Sequence, residues 1–230
     1  MKSNFEKAAN SLLGRYGELS RKTDEALELS RKGMYEEADA AMADVIRMME
    51  KAALLCRKLP MHTGNPNAQA EVEAILADAC PIKMGFIQPG WFFMRMPPLA
   101  SRKDLANKEY VRGMLYPAMR RFWEGKPAIR MPESVIIYRH MYARGHAKRR
   151  KRDYDNVEVK FVTDTLAVYL LEDDSPDQCE VFQCTAVGDE DCLDVFVVPQ
   201  DYFTDWYNAY KGDVEHLPPI RDTVPSRWLD

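Results

Sequence analysis

The amino-acid sequence predicts an α+β protein: a small mixed or antiparallel sheet with two packed helices, preceded by an N-terminal α-helical hairpin. Apolar residues recur with a helical period through the first 60 residues. Further along, short β-branched and aromatic runs alternate with two segments of helical periodicity. The predicted strands lie at 134–142, 179–187 and 192–199, and the predicted helices at 104–123 and 156–170.

The N-terminal third of the chain is predicted to be helical. Its apolar period is interrupted at Gly33, a residue type that often ends helices, and it stops at Pro60. The pattern therefore predicts a hairpin of two helices over residues 1–60. A turn-rich linker and a short helix are expected over residues 61–81.

Residues 82–200 are predicted to form a second domain with its own sheet. The stretch 82–96 is apolar and strand-like, but Pro89 and Gly90 interrupt it. Residues 201–230 form a C-terminal tail rich in aromatic residues and proline. The sequence of this tail does not indicate a role for it.

Charge is strongly segregated along the chain, although the net charge of the whole is only −4. Residues 1–80 carry a net −2, whereas residues 81–152 hold 17 basic and 4 acidic side chains, a net +13. Residues 153–230 hold 4 basic and 19 acidic side chains, a net −15. Such a distribution favours a polyanion and a metal ion as partners. The alternative is that the two blocks neutralise each other within one folded domain.

Composition also excludes several classes of protein. Every apolar run is far shorter than the roughly 20 residues that a membrane span needs, and the N-terminus has no apolar signal core, so we expect a cytoplasmic protein with no membrane partner. The five cysteines are scattered without CxxC spacing. This argues against a disulfide framework and against a structural zinc site, and it favours reduced, buried thiols.

A cluster of carboxylates brackets the helix predicted at 156–170. Asp153 and Asp155 are separated by one residue, so both side chains point the same way in an extended segment. Magnesium prefers such hard oxygen ligands, and the bound metal would activate water and stabilise charge on a phosphodiester. Asp173 and Asp174 follow the helix. A helix of about 14 residues spans roughly 21 Å, so this pair would return by a loop, through the sheet or from a partner chain.

A basic run directly precedes the first carboxylate and would hold backbone phosphates beside the metal. With the earlier Arg144, it forms the predicted DNA-binding set: Lys148, Arg149, Arg150, Lys151 and Arg152. The plain alternative is a solvated loop.

Together these features resemble the RusA family of Holliday-junction resolvases over residues 82–200. The family pattern is a strand, a helix, a strand and a basic loop, then R-D-x-D-N opening a helix, with an acidic pair and a β-hairpin after it. This chain has RDYDN at 152–156 and the acidic pair at 173–174. Family members are small dimeric endonucleases of DNA recombination and repair, often encoded by prophages.

The resemblance implies roles for individual residues. Asp153, Asp155 and Asp174 would hold Mg²⁺, for which Mn²⁺ could substitute, and Asp173 would assist them. Lys160 would act near the scissile phosphate. This chain departs from the family at that lysine, which lies five residues after Asp155 rather than four. One extra residue turns a helix by about 100°.

The sequence thus predicts a Mg²⁺-dependent, structure-selective DNA endonuclease that cuts four-way junctions as a homodimer, since two symmetric cuts need two sites. One alternative is a catalytically inactive RusA-like DNA-binding or assembly protein of a mobile element. Another is an adaptor in which the helical hairpin is the functional part. Residues 1–80 and 201–230 have no counterpart in the resemblance.

Overall fold

A computed structural model gives the structure of this chain. The chain divides into two compact units, Met1–Ile75 and Leu76–Asp230. The structure describes residues 3–79, 82–98, 107–144, 159–173, 175–212 and 219–229.

The first unit contains the predicted helical hairpin, which is confirmed. Helices α1 (Asn4–Arg31) and α2 (Tyr35–Lys58) pack on each other. Ser3 caps α1 through a reciprocal pair of hydrogen bonds with Glu6, which satisfies two backbone N–H groups that the helix leaves free. Gly33 joins the helices with a φ of +76°, a left-handed conformation that favours glycine. A shorter helix, α3 (Ala68–Ala79), follows, where the sequence predicts 69–79.

The second unit is built on one five-stranded mixed sheet, in the order β1-β2-β5-β3-β4. All neighbouring strands are antiparallel except β3 and β4, which are parallel. The mixed sheet of the predicted α+β class is therefore confirmed. The strands are β1 (Lys83–Ile87), β2 (Trp91–Met96), β3 (Ser134–Ala143), β4 (Cys179–Gly188) and β5 (Cys192–Pro199). The helices are α4 (Asn107–Trp123), α5 (Lys160–Leu170) and α6 (Phe203–Tyr210).

The interrupted strand predicted at 82–96 is a tight β-hairpin. β1 and β2 pair antiparallel on either side of the turn that contains Pro89 and Gly90. Gly90 has a φ of +122°, and a Cβ there would lie 2.8 Å from the Arg227 side chain. Glycine is therefore needed for both conformation and space. Pro117 lies inside α4 without ending it.

Helices cover both faces of the sheet. α4 and α5 pack on one face, where Leu115 and Leu166 are fully buried against Ile136 and other strand residues. α6 covers the other face, where Trp206 is fully buried 5.3 Å from the Phe196 ring. The two helices predicted to pack on the sheet are present, and α6 is a third from the unassigned tail.

The last described segment extends the sheet at its β1 edge. Phe86 and Arg221 exchange two backbone hydrogen bonds of 2.8 Å. A Cβ at Gly85 would lie 2.5 Å from the Arg221 carbonyl oxygen, so only glycine allows this approach. The Trp228 indole N–H donates to the Gly90 carbonyl. The described parts of residues 201–230 thus belong to the second unit.

Among the helices that the structure describes, none combines the length and the apolar character that crossing a bilayer requires.

Candidate functional site

The crossover from β3 through α5 to β4 positions the candidate site. The Tyr138 hydroxyl on β3 lies 2.7 Å from the Thr163 hydroxyl in the first turns of α5. At the opposite end of the helix, the Met131 N–H donates to the Leu170 carbonyl at 2.7 Å. Met131 precedes β3, so α5 runs antiparallel to that strand, and its N-terminus is directed toward the end at which β3 finishes.

The link between β3 and α5 is a buried polar contact. Thr163 donates to the Val159 carbonyl at 3.3 Å, which makes Tyr138 the donor to Thr163. Tyr138 is fully buried, and this burial raises the pKa of its phenol well above the ordinary value. The phenol is therefore a fixed neutral donor that holds the start of α5 over the sheet.

Lys160 is the first residue of α5 and is largely exposed, with 71% of its side chain accessible. Its ammonium lies 3.3 Å from a carboxylate oxygen of Asp164, one turn further along the helix. Val159 precedes the helix and offers no side-chain cap. The Lys160 charge is therefore presented at the α5 N-terminus, where the helix dipole also favours anions.

Asp173 lies beyond the other end of the same helix and is exposed. The loop that carries it is tied to the start of β3, because Leu171 pairs with Met131 and the Ser134 N–H donates to the Gln178 carbonyl. α5 has 11 residues and so measures about 16 Å. Within one chain, the structure does not bring Lys160 and Asp173 together.

Arg144 directly follows β3. It lies at the end of the strand toward which the α5 N-terminus is directed. Its backbone N–H donates to the Gly188 carbonyl, and its guanidinium lies 3.7 Å from the exposed Asp189 carboxylate. The chain leaves the described structure after Arg144 and rejoins it at Val159. The other predicted site residues lie outside the described residues: Asp153, Asp155, Asp174, Lys148, Arg149, Arg150, Lys151 and Arg152.

No metal site is formed by the described residues alone. Within them, no group of three or more His, Cys, Asp and Glu side chains is arranged to hold an ion. Asp173 is the one predicted ligand inside the described ranges.

A charged row crosses the sheet beneath α6, and sequence reasoning missed it. Asp194 on β5 is paired in register with Arg95 on β2 and Arg139 on β3. Its fully buried carboxylate accepts two hydrogen bonds from Arg95, at 2.6 and 3.0 Å, and one from Arg139 at 2.7 Å. Hydrogen bonding to Asp194 raises the pKa of the Arg95 guanidinium. A signal existed, because a charged residue stands within each of the apolar runs VIIYRHM and CLDVFVV.

The Arg139 side chain ties this row to the C-terminal helix. It is fully buried, donates to the Tyr210 carbonyl at the end of α6, and lies over the Phe196 ring at 5.3 Å. Among the described residues its Nε has no hydrogen-bond partner. One carboxylate thus neutralises two guanidinium groups, which is a structural role for Asp194.

A cavity of about 390 Å³ opens between the β1–β2 turn and the C-terminal segment. Its lining contains two arginines, Arg221 and Arg227, and two hydroxyl side chains, but no carboxylate, imidazole or thiol. The Arg227 guanidinium is already engaged, since it lies over the Tyr202 and Trp228 rings. The cavity therefore lacks the acid–base groups of a hydrolytic site.

The chain belongs to a family of unknown function (DUF6100), whose model matches residues 1–221. The match takes in the helical hairpin as well as the sheet, whereas the resemblance drawn from motifs covers residues 82–200 alone. No curated protein and no solved structure matches the chain.

Proposed function

We propose that the second unit is a Mg²⁺-dependent, structure-selective DNA endonuclease of the RusA type. The main support for this proposal is the position of the RDYDN segment, residues 152–156, between β3 and α5. It joins Arg144, at the end of β3, to Val159, at the start of α5, in a crossover between parallel strands. Open sheets typically bind ligands beyond the carboxyl ends of such strands.

Asp153 and Asp155 would hold the metal in this proposal. Carboxylate oxygens suit Mg²⁺, which would supply a nucleophilic hydroxide and stabilise charge on the phosphodiester. Lys160 follows Asp155 by five residues and presents an ammonium group at the helix N-terminus. When a phosphate is bound there, Lys160 exchanges its contact with Asp164 for the phosphate oxygen.

The third carboxylate would come from the partner subunit of a homodimer. Asp173 and Ser175, which flank Asp174, lie in the loop at the opposite end of α5 from Lys160, and the helix between them measures about 16 Å. Each site would therefore combine Asp153 and Asp155 of one chain with Asp174 of the partner subunit. Two such sites per dimer match the two symmetric cuts of a resolvase.

The first experiment tests cleavage. The Asp155→Asn variant should lose cutting of a mobile four-way junction in Mg²⁺ while it still shifts the junction on a gel, because affinity comes mainly from phosphate neutralisation. Asp177→Asn, which removes the same charge from an exposed loop residue, is the matched control. Cleavage by Asp155→Asn equal to that of the control would refute the site.

A second experiment tests the shared site. In a mixed dimer of Asp155→Asn and Asp174→Asn chains, a site built from both subunits is intact once per dimer, whereas sites built within each chain are all broken. We expect two inactive preparations to regain single-strand nicking when they are mixed and allowed to exchange subunits. If a confirmed mixed dimer does not nick the junction, Asp174 does not complete the site of the partner subunit.

The alternative is a DNA-binding or assembly protein that does not cut. One observation favours it: the Lys160 ammonium is paired with the Asp164 carboxylate. A parent protein that binds junctions but never cuts them, with Mg²⁺ or with Mn²⁺, would establish this function instead.

A further inference from the structure

The helical hairpin of the first unit exposes large apolar side chains along both of its helices. On each helix they recur at steps that combine three and four residues, a spacing that keeps side chains on one side of a helix. All of them are between 40 and 69% exposed. The stripe on α1 holds Phe5, Leu13, Tyr16 and Leu27, and the stripe on α2 holds Tyr35, Met42, Ile46 and Met49.

The two stripes lie on the same side of the hairpin. The Tyr16 hydroxyl on α1 lies 3.9 Å from the Cys56 sulfur on α2. Cys56 follows Met49 by seven residues, about two helical turns, so it continues the α2 stripe. The α1 stripe therefore borders the α2 stripe, and the eight side chains form one continuous surface, which we call the hairpin face.

The contact between α1 and α2 leaves these large side chains outside because it is built mainly from small residues. The buried positions of the two helices are Ala26, Ala38, Ala41, Val45, Ala52 and Leu54. An alanine side chain buries a single methyl group, and stabilisation by burial scales with the apolar area removed from water. Packing of the two helices on each other thus buries little apolar surface, and eight large apolar side chains remain for a further contact.

The hairpin face is nearly free of charge. Between the large α1 side chains, the same spacing places the uncharged Ser20 and Thr23. Charged residues border the stripes at the loop end of the hairpin, where Arg31 and Asp39 carry opposite signs. Such a face gives no electrostatic selection for an acidic or a basic partner. It is complementary to a second copy of itself about a two-fold axis.

We propose that the hairpin face is a dimerisation surface, on which the hairpin of a second copy of this chain packs to form a four-helix bundle. α2 has 24 residues and is about 36 Å long, and two adjacent helices are about 20 Å wide, so the face covers about 700 Å². A specific interface of standard size buries about 800 Å² on each partner. The spacing of three and four residues is also that of helices in such bundles. This proposal goes beyond the nuclease function and does not depend on it, although it supplies a homodimer.

The test adds the same charge on and off the hairpin face of the full-length chain. Leu27→Lys/Ile46→Lys places two charges on the face, and lysine is a strong helix former, so the fold should be kept. The control is Gly14→Lys/Ala40→Lys, at exposed positions outside the stripes, where a Cβ at Gly14 meets nothing within 4 Å. Sedimentation velocity between about 1 and 100 μM measures the mass of the assembly, and circular dichroism checks the helix content.

The parent and the control should sediment as dimers of the 26.5 kDa chain. The lysine variant should raise the dimer Kd at least about 100-fold, because a dimer would bury four lysine charges in an apolar interface. A milder variant, Met42→Gln/Met49→Gln, keeps the side-chain length and the helix propensity and adds no charge. It should raise the Kd at least about 10-fold, and it decides the question if the lysine variant loses helix content.

Two results would overturn the proposal. A parent that is monomeric at about 100 μM would leave the hairpin face to a different occupant. A dimer that both face variants weaken no more than the control does would have its interface elsewhere on the chain. Neither result bears on DNA cleavage, which the comparison of Asp155→Asn with Asp177→Asn measures separately.

Discussion

Replacing Asp194 by asparagine should be among the most damaging single changes in the second unit. The Asp194 carboxylate is fully buried and accepts three hydrogen bonds from two guanidinium groups. Asparagine keeps the shape of the side chain but removes the negative charge. It also turns one acceptor into an N–H donor, which then faces the donors of Arg95 and Arg139.

The two arginines differ in how well they tolerate that loss. The Arg95 side chain is 28% accessible and lies 3.8 Å from Glu190. In the variant we therefore expect it to turn toward water and toward this second carboxylate. Arg139 is fully buried under α6 and keeps only the Tyr210 carbonyl. Leaving one member of a buried ion pair without its partner typically costs about 3–5 kcal/mol. We expect the Asp194→Asn change to lower the free energy of unfolding by that amount.

Removing both buried charges should relieve part of the cost. The double variant Arg139→Met/Asp194→Asn places an apolar chain where the guanidinium was, so no uncompensated buried charge remains. We expect it to be more stable than Asp194→Asn alone, with a coupling free energy of roughly 1–3 kcal/mol between the two positions.

Urea unfolding followed by tryptophan fluorescence measures this directly. All four tryptophans lie beyond residue 76, so the signal comes from the second unit alone. Asp177→Asn, at an exposed loop position, should change stability by less than about 0.5 kcal/mol. The reasoning would be refuted if Asp194→Asn cost under about 1 kcal/mol, or if the two changes were additive.

Two further predictions concern the α6 face. Trp206→Ala should cost about 3–5 kcal/mol in the same unfolding assay, because it empties a fully buried site; a cost near zero would show that α6 is not part of the core. Burial raises the pKa of Cys184 to about 11 and of Cys192 to about 12. Iodoacetamide at about pH 8 should therefore modify Cys56 while sparing both buried thiols, as read by peptide mass spectrometry. The stability that the neutral thiols contribute is complete below the ordinary pKa of about 8.5 and is lost as the pH rises toward 11–12. A melting temperature that stays constant between about pH 8.5 and these values would contradict the burial of the two thiols.

Local pattern predicted the fold class and most of the sheet. The strands predicted at 134–142, 179–187 and 192–199 agree with β3, β4 and β5 to within one residue. Their β-branched runs are long, and they are bounded by turn residues, so the period is unambiguous. The order of strands was not predictable in this way, because β5 lies between β2 and β3 through pairings distant in sequence.

The sequence does not indicate a role for the tail because its helix is short. α6 has eight residues, too few for periodicity alone to separate a helix from an aromatic loop. The spacing of Phe203, Trp206 and Tyr210 is helical, and all three rings pack on one face of the sheet. That signal is recognisable once the sheet is known to have a second apolar face, which Phe93 and Phe196 supply.

The candidate site was predictable as a set of residue types but not as an arrangement in space. The sequence predicts Lys160 within the helix 156–170 and Asp173 just after it, and the structure places the two residues at opposite ends of α5. Separate contacts hold these ends, from Tyr138 on β3 and from Met131 just before it. α5 measures about 16 Å, so the residues at its two ends do not meet within one chain. If the carboxylates on both sides of α5 serve one metal, the symmetry of a dimer is the simplest way to join them, since a two-fold axis can set the end of one α5 beside the beginning of the other. The mixed-dimer nicking experiment is therefore the measurement that decides between a shared site and carboxylates that never meet.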